Sequence, residues 1–262
     1  MPADPLLEVE DVGYAFGGVK AVDGCTFSIA AGEVNGLIGP NGAGKSTLIN
    51  LISGTQRPQH GQVRFLGQSI TGWTAHRVAQ HGLIRTFQLS REFAGLTVLE
   101  NLLAVAPRQA GEGLLTALFN SRRCRREDER LLEKAREVLQ TFALYELRNE
   151  YARTLSGGQK RLLELARAVM AEPKLLLLDE PMAGVNPALL TRLVDHIGAL
   201  RASGITFLMV EHNLNLVEQL CDHVVVMAAG RVLASGGMAE LRANEDVVRA
   251  YLGGALVERV GG

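Results

Sequence analysis

A glycine-rich segment at residues 39–47 has the composition of a loop that holds phosphate groups. It follows an apolar run and fits the spacing Gly-x4-Gly-Lys-Ser. Glycines let backbone N–H groups converge on phosphate oxygens, and the helix that follows adds the positive end of its dipole. The pattern predicts an ATP site in which Lys45 neutralises the β- and γ-phosphates and Ser46 binds Mg²⁺. The residues predicted to contact the nucleotide here are Gly39, Pro40, Asn41, Gly42, Ala43, Gly44, Lys45, Ser46 and Thr47.

Two carboxylates end a second apolar run, the four leucines at 175–178. Carboxylates at the tip of a buried strand are costly unless they face a cation or solvent. Asp179 is therefore predicted to hold Mg²⁺, directly or through water, and Glu180 to polarise the attacking water as general base. The alternative is a pair of surface acids at a strand end, which the phosphate loop makes less attractive.

A second glycine pair lies in Leu-Ser-Gly-Gly-Gln at residues 155–159, directly before a predicted helix over 160–170. One interpretation is an ordinary helix-capping turn. The other is a further anion-binding helix N-terminus. Because one ATP does not need two phosphate loops from one subunit, the second interpretation predicts a contact with ATP bound to another subunit. The residues that would make it are Ser156, Gly157, Gly158 and Gln159.

Strands and helices alternate around these motifs, which predicts an α/β fold with a mostly parallel sheet. Strands are predicted over 7–12, 25–29, 34–38, 175–178, 205–210 and 224–227, the last followed by a turn. Helices are predicted over 46–53, 96–105 and 160–170, and from Glu127 onward. The helix from Glu127 carries one apolar stripe, formed by Leu131, Ala135, Val138 and Phe142.

Composition narrows the range of function classes. The chain has 262 residues, 47% hydrophobic and 21% charged, with a net charge of -1, so no basic bias favours nucleic-acid binding. Three scattered cysteines indicate neither disulfides nor a zinc site and favour a cytosolic protein. No signal peptide and no membrane-spanning apolar run is recognisable, so a soluble chain is expected, held at any membrane by other subunits. The arginines within 122–126 favour either a solvated helix start or contact with lipid headgroups.

The motifs stand in the order found in ABC ATPases, and the chain resembles that family over nearly its full length. Three further residues match the family pattern. Gln88 follows Arg-Thr-Phe in the position of the Q-loop glutamine, and His212 matches the switch histidine. Phe16 matches the aromatic residue that stacks on adenine, with Tyr14 as the alternative.

The resemblance implies a P-loop NTPase of the ABC ATPase type. A RecA-like core and an N-terminal antiparallel β subdomain are expected in 6–84 and 161–240. A helical subdomain that carries the signature is expected at about 85–160, and a C-terminal helical tail over 241–262.

The resemblance also implies a mechanism and partners. Two subunits, identical or different, would enclose two ATP molecules, each between the phosphate loop of one subunit and Ser156, Gly157 and Gly158 of the other. Gln88 would bind Mg²⁺ and couple the site to transmembrane permeases, and His212 would align the γ-phosphate and water. The complex would lie on the cytoplasmic face of the plasma membrane, served by a periplasmic or extracellular solute-binding protein. One departure is Asn186, where many members have Asp.

Within the family, the chain resembles the LivG-type ATPases of branched-chain amino-acid importers. The likeness rests on 85–88, 96–102, 183–187, the Arg-rich insertion of 107–128 and the ending 246–253. ATPases for urea or amide import and for lipopolysaccharide export share several of these segments and remain alternatives. A soluble ABC ATPase acting on ribosomes or RNA, a DNA-repair ATPase and a non-hydrolysing ATP binder are further alternatives. The single cassette, the lack of a coiled-coil insert, and the presence of Glu180 and His212 argue against these three respectively.

Overall fold

The computed structural model describes residues 4–86, 92–107 and 121–250. The predicted site residue Gln88 lies outside them. The chain divides into two compact units. The first consists of Met1–Arg85, Lys174–Ala183 and Ile197–Gly262, and the second of Thr86–Pro173 and Gly184–His196.

All ten strands found in the described residues belong to the first unit. They are β1 Leu7–Phe16, β2 Val19–Ile29, β3 Val34–Ile38, β4 His60–Phe65, β5 Gln68–Ser69, β6 Leu83–Arg85, β7 Leu175–Asp179, β8 Thr206–Val210, β9 His223–Ala228 and β10 Arg231–Gly236. The predicted strands over 7–12 and 25–29 are confirmed as parts of the longer β1 and β2. β1 and β2 join β4 and β5 in an antiparallel sheet with the order β2-β1-β4-β5.

The second sheet has six strands in the order β10-β9-β3-β8-β7-β6. The five strands from β9 to β6 are parallel, and β10 pairs antiparallel with β9. Every residue of β3, β7 and β8 is buried, and the apolar runs at 175–178 and 205–210 predict this for β7 and β8. Because parallel strands end at the same edge of a sheet, the segments that follow β3, β6, β7 and β8 emerge side by side.

The helices of the first unit include α1 Lys45–Ile52, α2 Ala75–Gln80, α7 Leu214–Leu220 and α8 Met238–Ala243. The second unit contains α3 Val98–Leu103, α4 Ser121–Thr141 and α5 Gly157–Met170. Short 3₁₀ turns at Tyr145–Leu147 and Ala152–Thr154 lead into α5, and α6 Pro187–Ala202 begins in the second unit and ends in the first. Residues 245–250 are also helical. None of the described helices combines the length and the apolar character that crossing a bilayer requires.

The long helix α4 supplies much of the core of the second unit. Ala135, Val138 and Phe142 of the predicted stripe are buried, and Leu131 is half-buried. The prediction that the helix begins at Glu127 is wrong, because α4 already begins at Ser121. The six preceding residues are mostly arginine, a good helix former that shows no apolar periodicity.

Candidate functional site

The phosphate-binding loop connects β3 to α1, as predicted. Gly44 is the residue before the helix, with a left-handed backbone at φ 99°. The ammonium group of Lys45 folds back over the loop and donates hydrogen bonds to the carbonyl oxygens of Gly39 at 2.8 Å and Pro40 at 3.0 Å. Burial lowers the pKa of Lys45, while the carboxylates of Glu180 and Asp179 act to raise it. The loop therefore places one cation within the electrostatic reach of the predicted general base, Glu180, and the predicted metal ligand, Asp179.

The three loop glycines are required for two different reasons. A Cβ atom on Gly39 would lie 2.1 Å from the carbonyl oxygen of Met227, and one on Gly44 would lie 2.1 Å from that of Ala21. At Gly42 the described residues leave open space, but φ is 78°, which side-chain-bearing residues rarely adopt. At 39 and 44, glycine thus allows the neighbouring backbone of Met227 and Ala21 to approach the loop. This role is additional to the one predicted from the sequence, which is to leave room for phosphate.

Asp179 and Glu180 lie at the carboxyl end of β7. Glu180 has φ 48°, a left-handed conformation that costs of order 1–3 kcal/mol for a residue other than glycine. Its N–H donates to the carbonyl oxygen of Val210 at 3.0 Å, and its own carbonyl accepts from Ala183 at 3.2 Å. These bonds hold the turn, so Glu180 leaves the strand direction beside the end of β8. This geometry is suited to presenting a general base at the edge of the sheet.

A guanidinium group contacts the predicted metal-binding carboxylate. Arg85 ends β6, and its Nη2 donates to Oδ2 of Asp179 at 2.9 Å. Its Nη1 donates to Oδ1 of Asn50 in α1 at 2.5 Å. Sequence reasoning missed this role, although an arginine that closes the apolar strand Leu83–Arg85 was a visible signal. The contact itself depends on the order of the strands, which the sequence does not display.

His212 follows β8 by two residues and is exposed. The preceding Glu211 is 2% exposed, and its Oε1 accepts a hydrogen bond from the N–H of Met182 at 3.2 Å. Burial raises the pKa of Glu211. After the histidine, Asn213 caps α7 with its side-chain oxygen. His212 is thus held between a buried carboxyl group and a helix cap, and Glu211 is a second residue that sequence reasoning did not single out.

The two candidates for adenine stacking differ in exposure. Phe16 ends β1 just before the Gly17–Gly18 turn, and it is 53% exposed. Tyr14 is half-buried and packs against the hydrophobic core. The two rings meet edge to face, with centroids 4.9 Å apart. A planar base can reach the exposed ring of Phe16 more readily than the half-buried ring of Tyr14. The ring of Tyr14 packs against that of Phe16.

The signature segment in the second unit forms a helix cap. The Oγ of Ser156 accepts from the N–H of Gln159 at 3.3 Å, and the N–H of Ser156 donates to Oε1 of Gln159 at 2.8 Å. A Cβ atom on Gly157 would meet no described atom within 4 Å, and one on Gly158 would lie 3.0 Å from Cδ2 of Leu189. The segment therefore forms the helix-capping turn that is one of its two interpretations. The described residues give no packing reason for glycine at position 157.

Asn186, the departure from the family pattern, directly precedes α6. Its Oδ1 accepts a hydrogen bond from the N–H of Leu189 at 2.9 Å. Asparagine and aspartate cap helices about equally well. The substitution therefore preserves the cap and removes one negative charge.

The first unit brings the phosphate loop, Asp179, Glu180 and His212 to neighbouring strand ends of one sheet. Within the described residues, no group of three or more His, Cys, Asp or Glu side chains is placed to hold a metal by itself. Mg²⁺ characteristically uses one or two protein oxygens together with water and substrate phosphates. The hydroxyl of Ser46 and the carboxylate of Asp179 are oxygen ligands of this kind.

Two family models match the chain. The ABC transporter model matches residues 22–183, and a model described as "Branched-chain amino acid ATP-binding cassette transporter" matches residues 231–257. A probable branched-chain amino acid transport ATP-binding protein LivG from Archaeoglobus fulgidus is 41% identical over 95% of both chains. The high-affinity branched-chain amino acid transport ATP-binding protein BraF from Pseudomonas aeruginosa is 40% identical over 96% of this chain and 99% of its own.

Solved structures show the same likeness. The crystal structure of the ADP conformation of MJ1267, an ATP-binding cassette of an ABC transporter, aligns with a TM-score of 0.79. The two sequences are 36% identical, and the alignment covers 95% of this chain and 99% of the other. Sequence, site geometry and fold thus agree, and the chain belongs to the ABC transporter ATP-binding proteins.

Proposed function

We propose that this chain is the ATP-hydrolysing subunit of an importer for branched-chain or other hydrophobic amino acids. The observation that carries the ATPase part is the convergence of Lys45, Asp179, Glu180 and His212 on adjacent strand ends. The solute class is supported by the relatives' names and by the match of residues 231–257 to the branched-chain model.

The proposed chemistry divides among the residues of the first unit. The ammonium of Lys45 binds the β- and γ-phosphates, and Phe16 stacks on the adenine. Ser46 and Asp179, with Gln88, would hold Mg²⁺, which would neutralise charge on the phosphate oxygens. Glu180 takes a proton from the attacking water, and His212 keeps that water in line with the γ-phosphate. Positioning and charge stabilisation carry most of the catalysis in phosphoryl transfer.

The proposed active form is a dimer, because the second unit supplies an anion-binding helix end that its own ATP does not need. The open space around Gly157 supports this proposal, since glycine there is explained if a phosphate of another subunit's ATP approaches the backbone. Ser156, Gly158 and Gln159 complete that contact. Each chain therefore contributes to two sites.

Transmembrane permeases and a periplasmic or extracellular solute-binding protein are the further partners in this proposal. The chain would lie on the cytoplasmic face of the plasma membrane, bound to the permeases. Only those partners touch the solute, so its identity is tested in the assembled transporter. Reconstituted with its own permeases and binding protein, the chain is expected to drive ATP-dependent leucine uptake. Uptake of urea or an amide in place of leucine would contradict the solute class and leave the ATPase intact.

The dimer is tested with Glu180→Gln, which keeps the size of the side chain and removes the base. With ATP and Mg²⁺, this variant is expected to accumulate as a dimer in size-exclusion chromatography with light scattering. Lys45→Ala, which removes the phosphate-binding ammonium, is the matched control and is expected to remain monomeric. Both variants are expected to lose ATPase activity by about a hundredfold or more.

A persistent monomer of Glu180→Gln under these conditions would refute the enclosed dimer. Activity equal to that of the parent in both variants would refute the assignment of the catalytic residues.

A further inference from the structure

Arg85 joins three parts of the nucleotide site. It ends β6, the strand beside β7, and its guanidinium lies between Asp179 and Asn50. The side chains of Arg85 and Asp179 are 14% and 9% exposed. Asn50 belongs to α1, the helix that Lys45 and Ser46 open. One rigid side chain thus connects the metal-binding carboxylate with the phosphate-binding helix.

Stability alone gives a weak reason for such a pair. Removing two charges from water offsets most of their attraction, and apolar replacements of buried pairs are often neutral or stabilising. The geometry gives a better reason. The planar guanidinium presents separate N–H groups in fixed directions, so its two ends can bind two different acceptors at once. Arg85 contacts Oδ2 of Asp179 through Nη2 and Oδ1 of Asn50 through Nη1.

Resting on the proposed function, we infer that Arg85 is a positioning residue for the magnesium site. Its guanidinium fixes the rotamer of Asp179 relative to α1, and so relative to Ser46. Partners that orient a metal ligand without touching the metal typically change metal affinity or activity by 10–100-fold.

The test separates bridging from charge. Arg85→Lys keeps the charge but cannot reach two acceptors with a planar fork, and Asn50→Ala removes the other end of the bridge while it keeps the charge pair. Binding of a fluorescent ATP analogue is titrated with Mg²⁺ for each variant, with EDTA as the metal-free reference. Each variant is expected to need about tenfold more Mg²⁺ for half-maximal effect, while affinity in EDTA changes less than about twofold.

Arg201→Lys is the matched control. Arg201 pairs with Asp222 at 2.7 Å in the same unit, and Asp222 also accepts from the N–H of Val34, the first residue of β3. That pair lies at the amino ends of the parallel strands, whereas the proposed site lies at their carboxyl ends. The Arg201→Lys variant should therefore need the same Mg²⁺ concentration as the parent. Combining Arg85→Lys with Asn50→Ala should add little to either change, because both break one bridge.

An unchanged or lower magnesium requirement in both Arg85→Lys and Asn50→Ala would overturn the inference. Additive effects of Arg85→Lys and Asn50→Ala on the magnesium requirement would also overturn it, because additivity would mean that the two residues act through separate contacts. If the parent itself binds no nucleotide, the proposed function fails together with the inference. If the parent binds with a normal magnesium dependence and the variants match it, the inference alone fails.

Discussion

At the scale of single residues, the site contains carboxyl groups in contrasting surroundings. Asp179 is paired with the guanidinium of Arg85, whereas the described hydrogen bond to Glu211 comes from the backbone N–H of Met182. Burial, which raises the pKa of Glu211, makes its ionised form expensive. Through its hydrogen bond with Met182, Glu211 links the turn after Glu180 to the segment of His212. The ionisation of Glu211 therefore affects the stability of the fold as well as the positions of these two residues.

The pH dependence of stability follows from the raised pKa of Glu211. An unfolded glutamate titrates near 4.5, so between that pH and the higher folded pKa the folded chain holds the proton more tightly. As pH rises through this interval, folding loses stability. Glu211→Gln keeps the acceptor for Met182 and removes this cost. The variant is expected to unfold at a higher temperature than the parent at pH 7.5, and the gain should fade as pH approaches 4.5.

Thermal unfolding at the two pH values measures this effect. Glu10→Gln, an exposed glutamate of β1, is the control and should show no such pH-dependent gain. A Glu211→Gln protein that is less stable than the parent at pH 7.5 would mean that the carboxylate has a stabilising partner.

At the scale of elements, two helices open beside glycines for different reasons. Gly44, before α1, lies where a Cβ would collide with the carbonyl of Ala21, and its φ is 99°. Gly157, the first residue of α5, has open space among the described residues and no left-handed conformation. The same residue type thus serves packing within the chain at one helix and, in our proposal, contact with another subunit at the other.

Alanine substitutions distinguish these two reasons. Gly44→Ala is expected to lower the thermal midpoint and abolish nucleotide binding, because backbone must move to admit the methyl group. Gly157→Ala is expected to keep or raise the midpoint, since alanine favours helices over glycine by about 1 kcal/mol. It should nevertheless lose ATPase activity by about tenfold or more, because the methyl group blocks the approaching phosphate. Parent-like ATPase activity in Gly157→Ala would contradict the contact between subunits.

The same contrast explains what the sequence could predict at this scale. β7 and β8 are visible as nearly continuous apolar runs because both of their faces are buried. The edge strand β10 was missed because only alternate residues are shielded and arginine, serine and glycine interrupt it. The start of α4 was missed because its first residues are charged. Local periodicity reports burial, so elements that bury little leave little signal.

Contacts between distant segments were beyond sequence reasoning for a different reason. The motifs predict which residues belong to the site, but they carry no information about contacts between side chains far apart in sequence. The bonds of Arg85 to Asp179 and of Glu211 to Met182 join residues 94 and 29 positions apart. Only the order of strands in the sheet brings these pairs together, and that order is a property of the folded chain.

At the scale of the whole molecule, the residues proposed to act on ATP are divided between the two units of the chain. The phosphate loop, Asp179, Glu180 and His212 belong to the first unit, and Ser156 with its glycines belongs to the second. In the proposed dimer each ATP is bound by the first unit of one chain and the second unit of another. Two inactive variants, one altered in each unit, should therefore recover ATPase activity when they are mixed.

This repair gives a direct test. Lys45→Ala disables the phosphate loop, and Ser156→Arg disables the signature; each is expected to be inactive alone. In a mixed dimer, one of the two composite sites is intact, so an equal mixture should recover ATPase activity on the order of a quarter of the parent value. A mixture as inactive as its components would argue that each chain completes its own site or that both sites must work together. The first of these readings would contradict the proposed dimer.

The hairpin between β9 and β10 contacts the phosphate loop and also contains the start of the segment that matches the branched-chain family model. The N–H of Gly230 donates to the carbonyl of Ala43 in the phosphate loop, and Arg231 pairs with Asp23 of β2. Arg231 is also the first residue matched by the branched-chain model. Chimaeras that exchange C-terminal segments between transporter ATPases therefore cannot treat residue 231 as a neutral junction. A graft that replaces residue 231 without a matching residue 23 would lose the ion pair to β2, directly beside the backbone contact of Gly230 with the phosphate loop.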